Sequence, residues 1–174
     1  NRDFNITEPN RVWVSDITYI RTWEGWLYLA CFIDVFSRRV VAFAIDDHMW
    51  SKLGLDAFDD ACRCRRPRAG LIIRSDQGSQ FTSMSFRARL SDAEAVQNMT
   101  SKGDCYDNAV AESFHSTLKE ELIFRRTNAT KSATKAAVAD YINNFYNLHR
   151  RHSANGNLSP VGQELRFAQP HLAA

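Results

Sequence analysis

Residues 11–45, RVWVSDITYIRTWEGWLYLACFIDVFSRRVVAFAI, decide the fold. β-Branched and aromatic side chains dominate residues 11–21, which favours a strand. Residues 26–33 are continuously apolar, as in a strand buried on both faces, and residues 40–45 form a third strand-like segment. Because only short turns separate these segments, the stretch predicts an antiparallel meander.

Beyond residue 50 the chain alternates helical and strand-like patterns. We expect helices over 51–65, 82–93, about 108–124 and 131–149, and short strands over 70–76 and from 95–96 onward. This order predicts an α/β fold with a mixed five-stranded sheet, in which three antiparallel strands precede a βαβ unit and helices cover both faces. The expected domain spans residues 1–165, and residues 166–174 are expected to form an irregular tail.

The composition is typical of one globular domain of an intracellular protein. The chain has 174 residues, of which 44% are hydrophobic, and no apolar run approaches the ~20 residues that cross a membrane. Its four cysteines, Cys31, Cys62, Cys64 and Cys105, lack zinc-finger spacing and are interpreted as reduced thiols of a cytoplasmic protein. The net charge is only +2, but five arginines cluster in residues 63–74, which is compatible with a polyanion partner or with an ordinary solvated surface.

Three carboxylates occupy places where a sheet and a packed helix could bring them together. Asp16 lies in mid-strand, where Asp is disfavoured, and Asp76 directly follows an apolar strand. Taken singly, Asp16 could face water at an edge, Asp76 could start a turn, and Glu112 could be a solvated helix acid. Together they could converge, and converging carboxylates require cations, for which hard Mg²⁺ or Mn²⁺ ions are suited.

The helix expected from about residue 108 has one apolar face. The stripe consists of residues spaced by four: Val110, Phe114, Leu118 and Leu122. Glu112 falls about 200° around the helix from this stripe, which predicts a solvent-facing position shared with His115 and Lys119. Asp107 is interpreted as the N-cap of this helix.

Longer motifs surround these residues. They are WVSDITYI (13–20), WLYLACFIDVFSRRVV (26–41), SDQGSQF (75–81), KGDCYDNAVAESFHSTLKEEL (102–122), YNLHRRHS (146–153) and LSP (158–160). With the 35 residues 77–111 between Asp76 and Glu112, the chain resembles the catalytic core of DDE transposases and retroviral-type integrases. Bacterial insertion-sequence transposases are the most similar group. The resemblance implies a ribonuclease-H-like fold.

The resemblance also implies a function. It implies metal-dependent DNA cleavage and strand transfer by a DDE-type polynucleotidyl transferase, with Asp16, Asp76 and Glu112 as the catalytic triad and as the ligands of two Mg²⁺ or Mn²⁺ ions. Four residues are candidate DNA contacts: Lys119, Asn108, Arg150 and His152.

The implied partners are the terminal repeats of a mobile element, target DNA and further copies of the protein, associated with a bacterial nucleoid in the cytoplasm. No membrane and no small-molecule cofactor are expected. An N-terminal helix-turn-helix region that reads the repeats is expected in the full protein and is absent from this chain.

Other functions stay open at this point. The triad alone also fits a ribonuclease-H-like nuclease that does not join strands, and an inactive relic would only bind DNA. A zinc site at His149 and His152 would have too few nearby ligands. Asn155 and Asn157 replace apolar residues of the family pattern, which predicts looser docking of the C-terminal segment.

Overall fold

The predicted meander is present in the computed structural model, which describes residues 6–49, 51–75, 81–99 and 109–169. Its strands are β1 (Val12–Thr22), β2 (Gly25–Asp34) and β3 (Val40–Asp46), and each is antiparallel to the next. Gly25 begins β2 with φ +113°, a left-handed conformation that a glycine adopts without a steric penalty. The turn between β1 and β2 can therefore be tight.

The rest of the chain alternates helices and strands, as predicted. In chain order the elements are α1 (Ser51–Arg65), β4 (Ile72–Ser75), α2 (Met84–Asp92), β5 (Val96–Met99), α3 (Ala109–Leu118), α4 (Lys131–Asp140) and α5 (Pro160–Ala168). Both α3 and α4 continue as π-helical turns, over Lys119–Ile123 and Tyr141–Tyr146. The side chains of Ser83 and Thr130 cap α2 and α4 by accepting backbone N–H groups of the first turn.

The five strands form one mixed sheet in the order β3-β2-β1-β4-β5. The central strand β1 is antiparallel to β2 on one side and parallel to β4 on the other, and β4 is parallel to β5. This arrangement confirms the predicted antiparallel meander followed by a βαβ unit. Among the described residues, no helix is long and apolar enough to cross a membrane.

Two hydrophobic cores lie on opposite faces of the sheet, so the prediction of helices on both faces is also confirmed. Trp13 of β1 points into one core, where aromatic side chains from β2, α1 and α2 pack with it. Val14 points into the other core, against α3 and α4. Neighbouring residues of a strand point to opposite faces, so β1 supplies both cores.

The C-terminal segment differs from the prediction. Residues 166–174 were expected to be irregular, but α5 extends to Ala168, so the prediction is wrong for residues 166–168; residues 170–174 lie outside the described residues. Pro160 does not break the helix because it occupies the first turn, where its missing N–H costs nothing, and Ser159 accepts the N–H of Gly162.

Ion pairs hold α5 against the body of the domain. Glu164 accepts hydrogen bonds from Arg65 at 2.6 and 3.0 Å and from Arg39 at 2.6 Å. Burial alone would raise the pKa of Glu164, but the hydrogen bonds and charges of these two arginines lower it below its ordinary value. The carboxylate is therefore ionised and anchors the helix to α1 and to the turn before β3.

Two buried asparagines attach the C-terminal segment to β3 and to the turn before it. Asn147 accepts the N–H of Val40 and donates to its C=O, both at 3.0 Å, so its amide pairs with the outer edge of β3 as another strand would. Asn155 donates to the carbonyl oxygen of Ser37 at 2.7 Å. The prediction that Asn155 loosens this docking is wrong, because its amide supplies a hydrogen bond that an apolar side chain lacks.

The variant Asn147→Asp should destabilise the fold by about 1–3 kcal/mol, because a carboxylate cannot donate to the Val40 carbonyl and would itself be buried. Urea unfolding at neutral pH measures the change. The matched control is Asn143→Asp, since Asn143 is exposed on the π-helical turn that directly precedes Asn147. Equal unfolding free energies for the two variants would contradict the role given to Asn147.

Candidate active site

Asp16 lies on the central strand, one residue beyond the described pairs with β4. The described parallel pairing of β1 with β4 runs to Ser15 and Ser75, and Asp16 itself pairs with Cys31 of β2. The Asp16 side chain is 19% exposed, and its Oδ1 accepts the N–H of Ile17 at 2.8 Å. The carboxylate is therefore partly accessible to solvent.

A buried histidine on α3 contacts the same carboxylate. His115 Nδ1 lies 3.3 Å from Asp16 Oδ2, and only 8% of the His115 side chain is exposed. On the other side of the ring, Nε2 lies 3.3 Å from the Sγ of Cys31. His115 therefore bridges β2 and the acid on β1, and it positions α3 over the sheet.

The Cys31 thiol stays protonated in this environment. Burial, and to a lesser extent the negative charge of Asp16, raise the pKa of Cys31 well above its ordinary value. The thiol lies 3.3 Å from Nε2 and 3.8 Å from the backbone carbonyl oxygen of Asp16, so it can donate to either group.

The prediction of a solvent-facing His115 is wrong. The buried residues of α3 are Ala111, Phe114, His115 and Leu118, a wider face than the predicted stripe. Because α3 packs directly on β1 and β2, His115 finds two polar partners inside, which a helical wheel with one apolar stripe does not reveal. In the sequence, the position of His115 three residues after Glu112 is the signal that could have placed it beside the acidic site.

Glu112 is exposed on α3, as predicted. Residues three apart are neighbours on a helix surface, so Glu112 lies beside His115, the residue that contacts Asp16. The structure thus brings the helix turn that carries Glu112 to the strand that carries Asp16. Asp76 and Asn108 lie outside the described residues; the chain leads to Asp76 from Ser75, which pairs with Ser15.

Lys119 lies on the π-helical turn that continues α3, near the end of β1 beyond Asp16. Its Nζ lies 4.9 Å from the centre of the Tyr19 ring, an arrangement that a cation–π attraction stabilises. Tyr19 is the third residue after Asp16 on β1. Lys119 thus extends from the helix of Glu112 to the ring of Tyr19, which leaves the opposite face of β1 from Asp16.

Arg150 is held elsewhere, beside a cleft of about 580 Å³ between α3 and the C-terminal segment, which His152 also lines. Its Nε and Nη2 each lie 3.0 Å from Glu121 Oε1. Burial opposes ionisation of Glu121, but hydrogen bonds from Tyr141 and Arg150 lower its pKa. An intramolecular ion pair therefore occupies part of the Arg150 guanidinium.

His152 is neutral at physiological pH. Its ring packs against Tyr146 with centroids 5.0 Å apart. Burial, followed by the charges of Arg150 and Arg38, lowers its pKa from 6.5 to about 4. His152 therefore adds no positive charge to the cleft, unlike Arg38 and Arg150.

One other group of potential metal ligands is present among the described residues. Asp46, Asp47 and His48 have ligand atoms within 4.8 Å of one another at the exposed end of β3. Lys131 lies 3.1 Å from Asp47 and Lys135 lies 3.9 Å from Asp46, so protein cations already balance the acids. The Asp16 carboxylate itself, by contrast, makes no ion pair with a lysine or arginine of the described ranges.

The sequence matches two family models, both described as integrase core domain. The first covers residues 6–105 and the second residues 94–160. The chain belongs to the integrase core domain family. The ribonuclease-H-like fold inferred from the motifs agrees with this membership.

Two relatives of the chain are transposases of bacterial insertion sequences. The chain is 44% identical over 160 residues to the transposase for insertion sequence element IS904 of Lactococcus lactis, covering 92% of this chain and 63% of that protein. It is 42% identical to the transposase InsF for insertion sequence IS3A of Escherichia coli, covering 91% of this chain and 55% of that protein. The chain thus spans less than two thirds of either relative.

The fold is similar to that of the HTLV-2 integrase catalytic core domain, solved in complex with magnesium in a trimeric form. The TM-score is 0.70 at 16% identity, and the similarity covers 89% of this chain and 96% of that chain. The catalytic core domain of BIV integrase gives a TM-score of 0.66 at 14% identity, over 94% and 99% of the two chains. These similarities confirm the predicted fold.

The lowered pKa of His152 predicts a loss of stability in acid. In the unfolded chain His152 is protonated below about pH 6.5, whereas in the folded chain it is protonated only below about pH 4. Between these values the unfolded state binds more protons, so a fall in pH lowers the free energy of unfolding. His152→Phe keeps an aromatic ring without this proton, and its unfolding free energy should fall less between pH 6.5 and 4 than that of the wild type.

Chemical denaturation at a series of pH values measures this difference. His149→Phe is the matched control because His149 is exposed. It should follow the wild-type profile. An unchanged profile for His152→Phe would contradict the assignment.

Proposed function

We propose that this chain is the catalytic core of an insertion-sequence transposase, which cuts a DNA strand at the end of a mobile element and joins the freed 3′-hydroxyl to target DNA. The observation that carries the proposal is the 3.3 Å contact between His115 and Asp16, because it packs the helix of Glu112 against the strand of Asp16. The transposase names of the relatives support the same activity.

The residues of the site fit a divalent cation. Asp16 and Glu112 offer carboxylate oxygens, the ligands that Mg²⁺ and Mn²⁺ prefer, and we assign Asp76 as the third ligand. Among the described residues, Asp16 Oδ1 accepts one N–H and Oδ2 has one neighbouring ring nitrogen, so these partners leave lone pairs on both oxygens. Two bound cations would activate the attacking oxygen and stabilise the leaving oxygen of an in-line phosphoryl transfer.

The protein's own groups position the reactants. The Ile17 N–H and the His115 ring fix the orientation of the Asp16 carboxylate from two sides. Lys119 supplies a positive charge two helical turns beyond Glu112, where it would bind a backbone phosphate of the DNA. Preorganised charges of this kind need no rearrangement when negative charge develops on the phosphoryl group.

The two steps are substitutions at phosphorus with balanced bonds. In the first, water forms a P–O bond, the bond to the 3′-oxygen breaks, and that oxygen takes up a proton. In the second, the 3′-oxygen attacks a target phosphodiester, loses its proton and displaces the target's own 3′-oxygen. The second step exchanges one phosphodiester bond for another, so it needs no external energy source.

Reversal of the second step is the sharpest test for this chain, because it does not require the unknown element-end sequence. A branched oligonucleotide that represents the joined product is incubated with the protein and Mn²⁺. By microscopic reversibility, a transposase core should release the element end and reseal the target strand. Asp16→Asn and Glu112→Gln should each lower the rate by at least about 100-fold, and chelation should abolish the reaction.

Matched controls separate the alternatives. Asp92→Asn and Glu120→Gln change exposed acids of the same kinds and should retain the wild-type rate. Cleavage without a resealed strand would point to a plain nuclease. DNA binding that survives chelation, with no change in the branched substrate, would point to an inactive relic.

His115 should support cation binding through its contact with Asp16. Loss of a group that holds a ligating carboxylate typically weakens metal binding about 10- to 100-fold. His115→Leu should therefore give a smaller rise in melting temperature on addition of MnCl₂, whereas His115→Asn keeps an amide near the Nδ1 position and should retain more of it. Equal Mn²⁺-induced shifts for wild type and His115→Leu would contradict this role.

The remaining partners follow from the reaction. Joining both ends of an element requires at least two active sites, so we propose that the protein self-associates on DNA. We also propose that it acts at the bacterial nucleoid, and that a helix-turn-helix region outside this chain reads the terminal repeats. The described residues contain groups suited to chemistry and backbone contact, and base reading belongs to a separate module.

A further inference from the structure

An exposed group of aromatic side chains lies beyond Asp16 at the far end of β1. Tyr19 is 57% exposed, Trp26 is 44% exposed and Phe124 is 75% exposed. With Lys119 and Arg21 they line a groove of about 410 Å³. We call these five residues the aromatic platform. Neither the fold nor the acidic site uses their exposed rings, and large exposed apolar patches commonly mark binding surfaces.

The rings and the cations of the aromatic platform are organised together. Tyr19 and Trp26 pack edge to face, with centroids 5.3 Å apart and planes at 84°. Lys119 Nζ lies 4.9 Å from the Tyr19 ring centre, and the Arg21 guanidinium lies 5.8 Å from that of Trp26. Tyr19 and Trp26 therefore each have a positive charge beside the ring.

This combination favours a polynucleotide over a protein partner. Protein–protein interfaces are enriched in aromatic residues and arginine but depleted of lysine, so Lys119 over the Tyr19 ring is the feature that argues against a protein partner. Sites for single-stranded nucleic acid instead combine cations, which follow the phosphates, with aromatic rings on which bases stack. Among the described residues that line the groove, none is acidic.

The position relative to the acidic site fits one strand of DNA. Tyr19 lies about 10 Å along β1 from Asp16, at roughly 3.3 Å per residue, and its side chain leaves the opposite face of the strand. Lys119 lies about 10 Å along the helix from Glu112, at about 1.5 Å per residue, and contacts the Tyr19 ring. The helix therefore leads from Glu112 to the aromatic platform.

We propose that the aromatic platform binds unpaired nucleotides of the DNA strand that reacts in the acidic site. Bases stack on Tyr19, Trp26 and Phe124, while Lys119 and Arg21 bind the phosphates between them. Holding the strand unpaired next to the acids would present its phosphodiester to the reacting groups free of the complementary strand. The inference rests on the proposed function for the identity of the substrate, so its test measures binding without catalysis.

The test uses a fluorescently labelled oligothymidylate of about 12 nucleotides, with EDTA present, and measures anisotropy on titration with the protein. Tyr19→Ala and Trp26→Ala should each weaken binding about 5- to 100-fold, the loss expected for one stacked base. Tyr19→Phe and Trp26→Phe keep a ring and should stay within about threefold of the wild type. Phe145→Ala, which removes a ring that is 45% exposed on a different element, should have no effect.

The salt dependence separates stacking from charge. Lys119→Gln should reduce the slope of log affinity against log salt concentration by about 0.7, the contribution of one phosphate contact to a single strand. Tyr19→Ala should lower the affinity at every salt concentration and leave the slope unchanged, which a general disturbance of the fold would not do.

Several outcomes would overturn the proposal. Unchanged affinity of the alanine variants would do so, and so would equal losses in the alanine and phenylalanine variants. If the alanine variants instead abolish self-association in sedimentation experiments and leave oligonucleotide binding intact, the aromatic platform is a contact between copies. Oligonucleotide binding through the aromatic platform without strand resealing would retain this inference and reject the transposase activity.

Discussion

The position of β1 at the centre of the sheet is the constraint on which the rest of the structure depends. It pairs with an antiparallel strand on one side and a parallel strand on the other, and its alternating side chains enter both cores. Asp16 is tolerated in this strand because its carboxylate is 19% exposed and has polar partners in the Ile17 N–H and the His115 ring.

The polar contacts around that strand have different tasks. His115 and Cys31 form a small buried polar group that joins α3 to β1 and β2 beside the acid. At the β3 edge of the sheet, Asn147 pairs with the outer edge of β3. Glu164 connects α5 to Arg39 and Arg65. Buried polar groups of this kind are costly unless they are fully paired, so they favour one arrangement of helices over the alternatives.

Most elements could be predicted because their signals are local. The meander follows from runs of apolar and β-branched residues, and α1 coincides with the predicted range of residues 51–65. The mid-strand position of Asp16 and the exposed position of Glu112 are also visible in the pattern. The burial of His115 and the helix α5 were not predicted, because both depend on partners distant in sequence: Asp16 and Cys31 for the first, Arg39 and Arg65 for the second.

The sequence by itself determined the strand and helix order, the family motifs and the acids that carry the proposed chemistry, since these depend on side-chain period, spacing and residue type. Only the tertiary structure decided what surrounds those acids. The packing of α3 on β1 turns His115 inward beside Asp16, and the end of β1 brings Lys119 over the Tyr19 ring. Such contacts join residues about 100 positions apart, and no local pattern encodes a distance that exists only after the two elements have packed together.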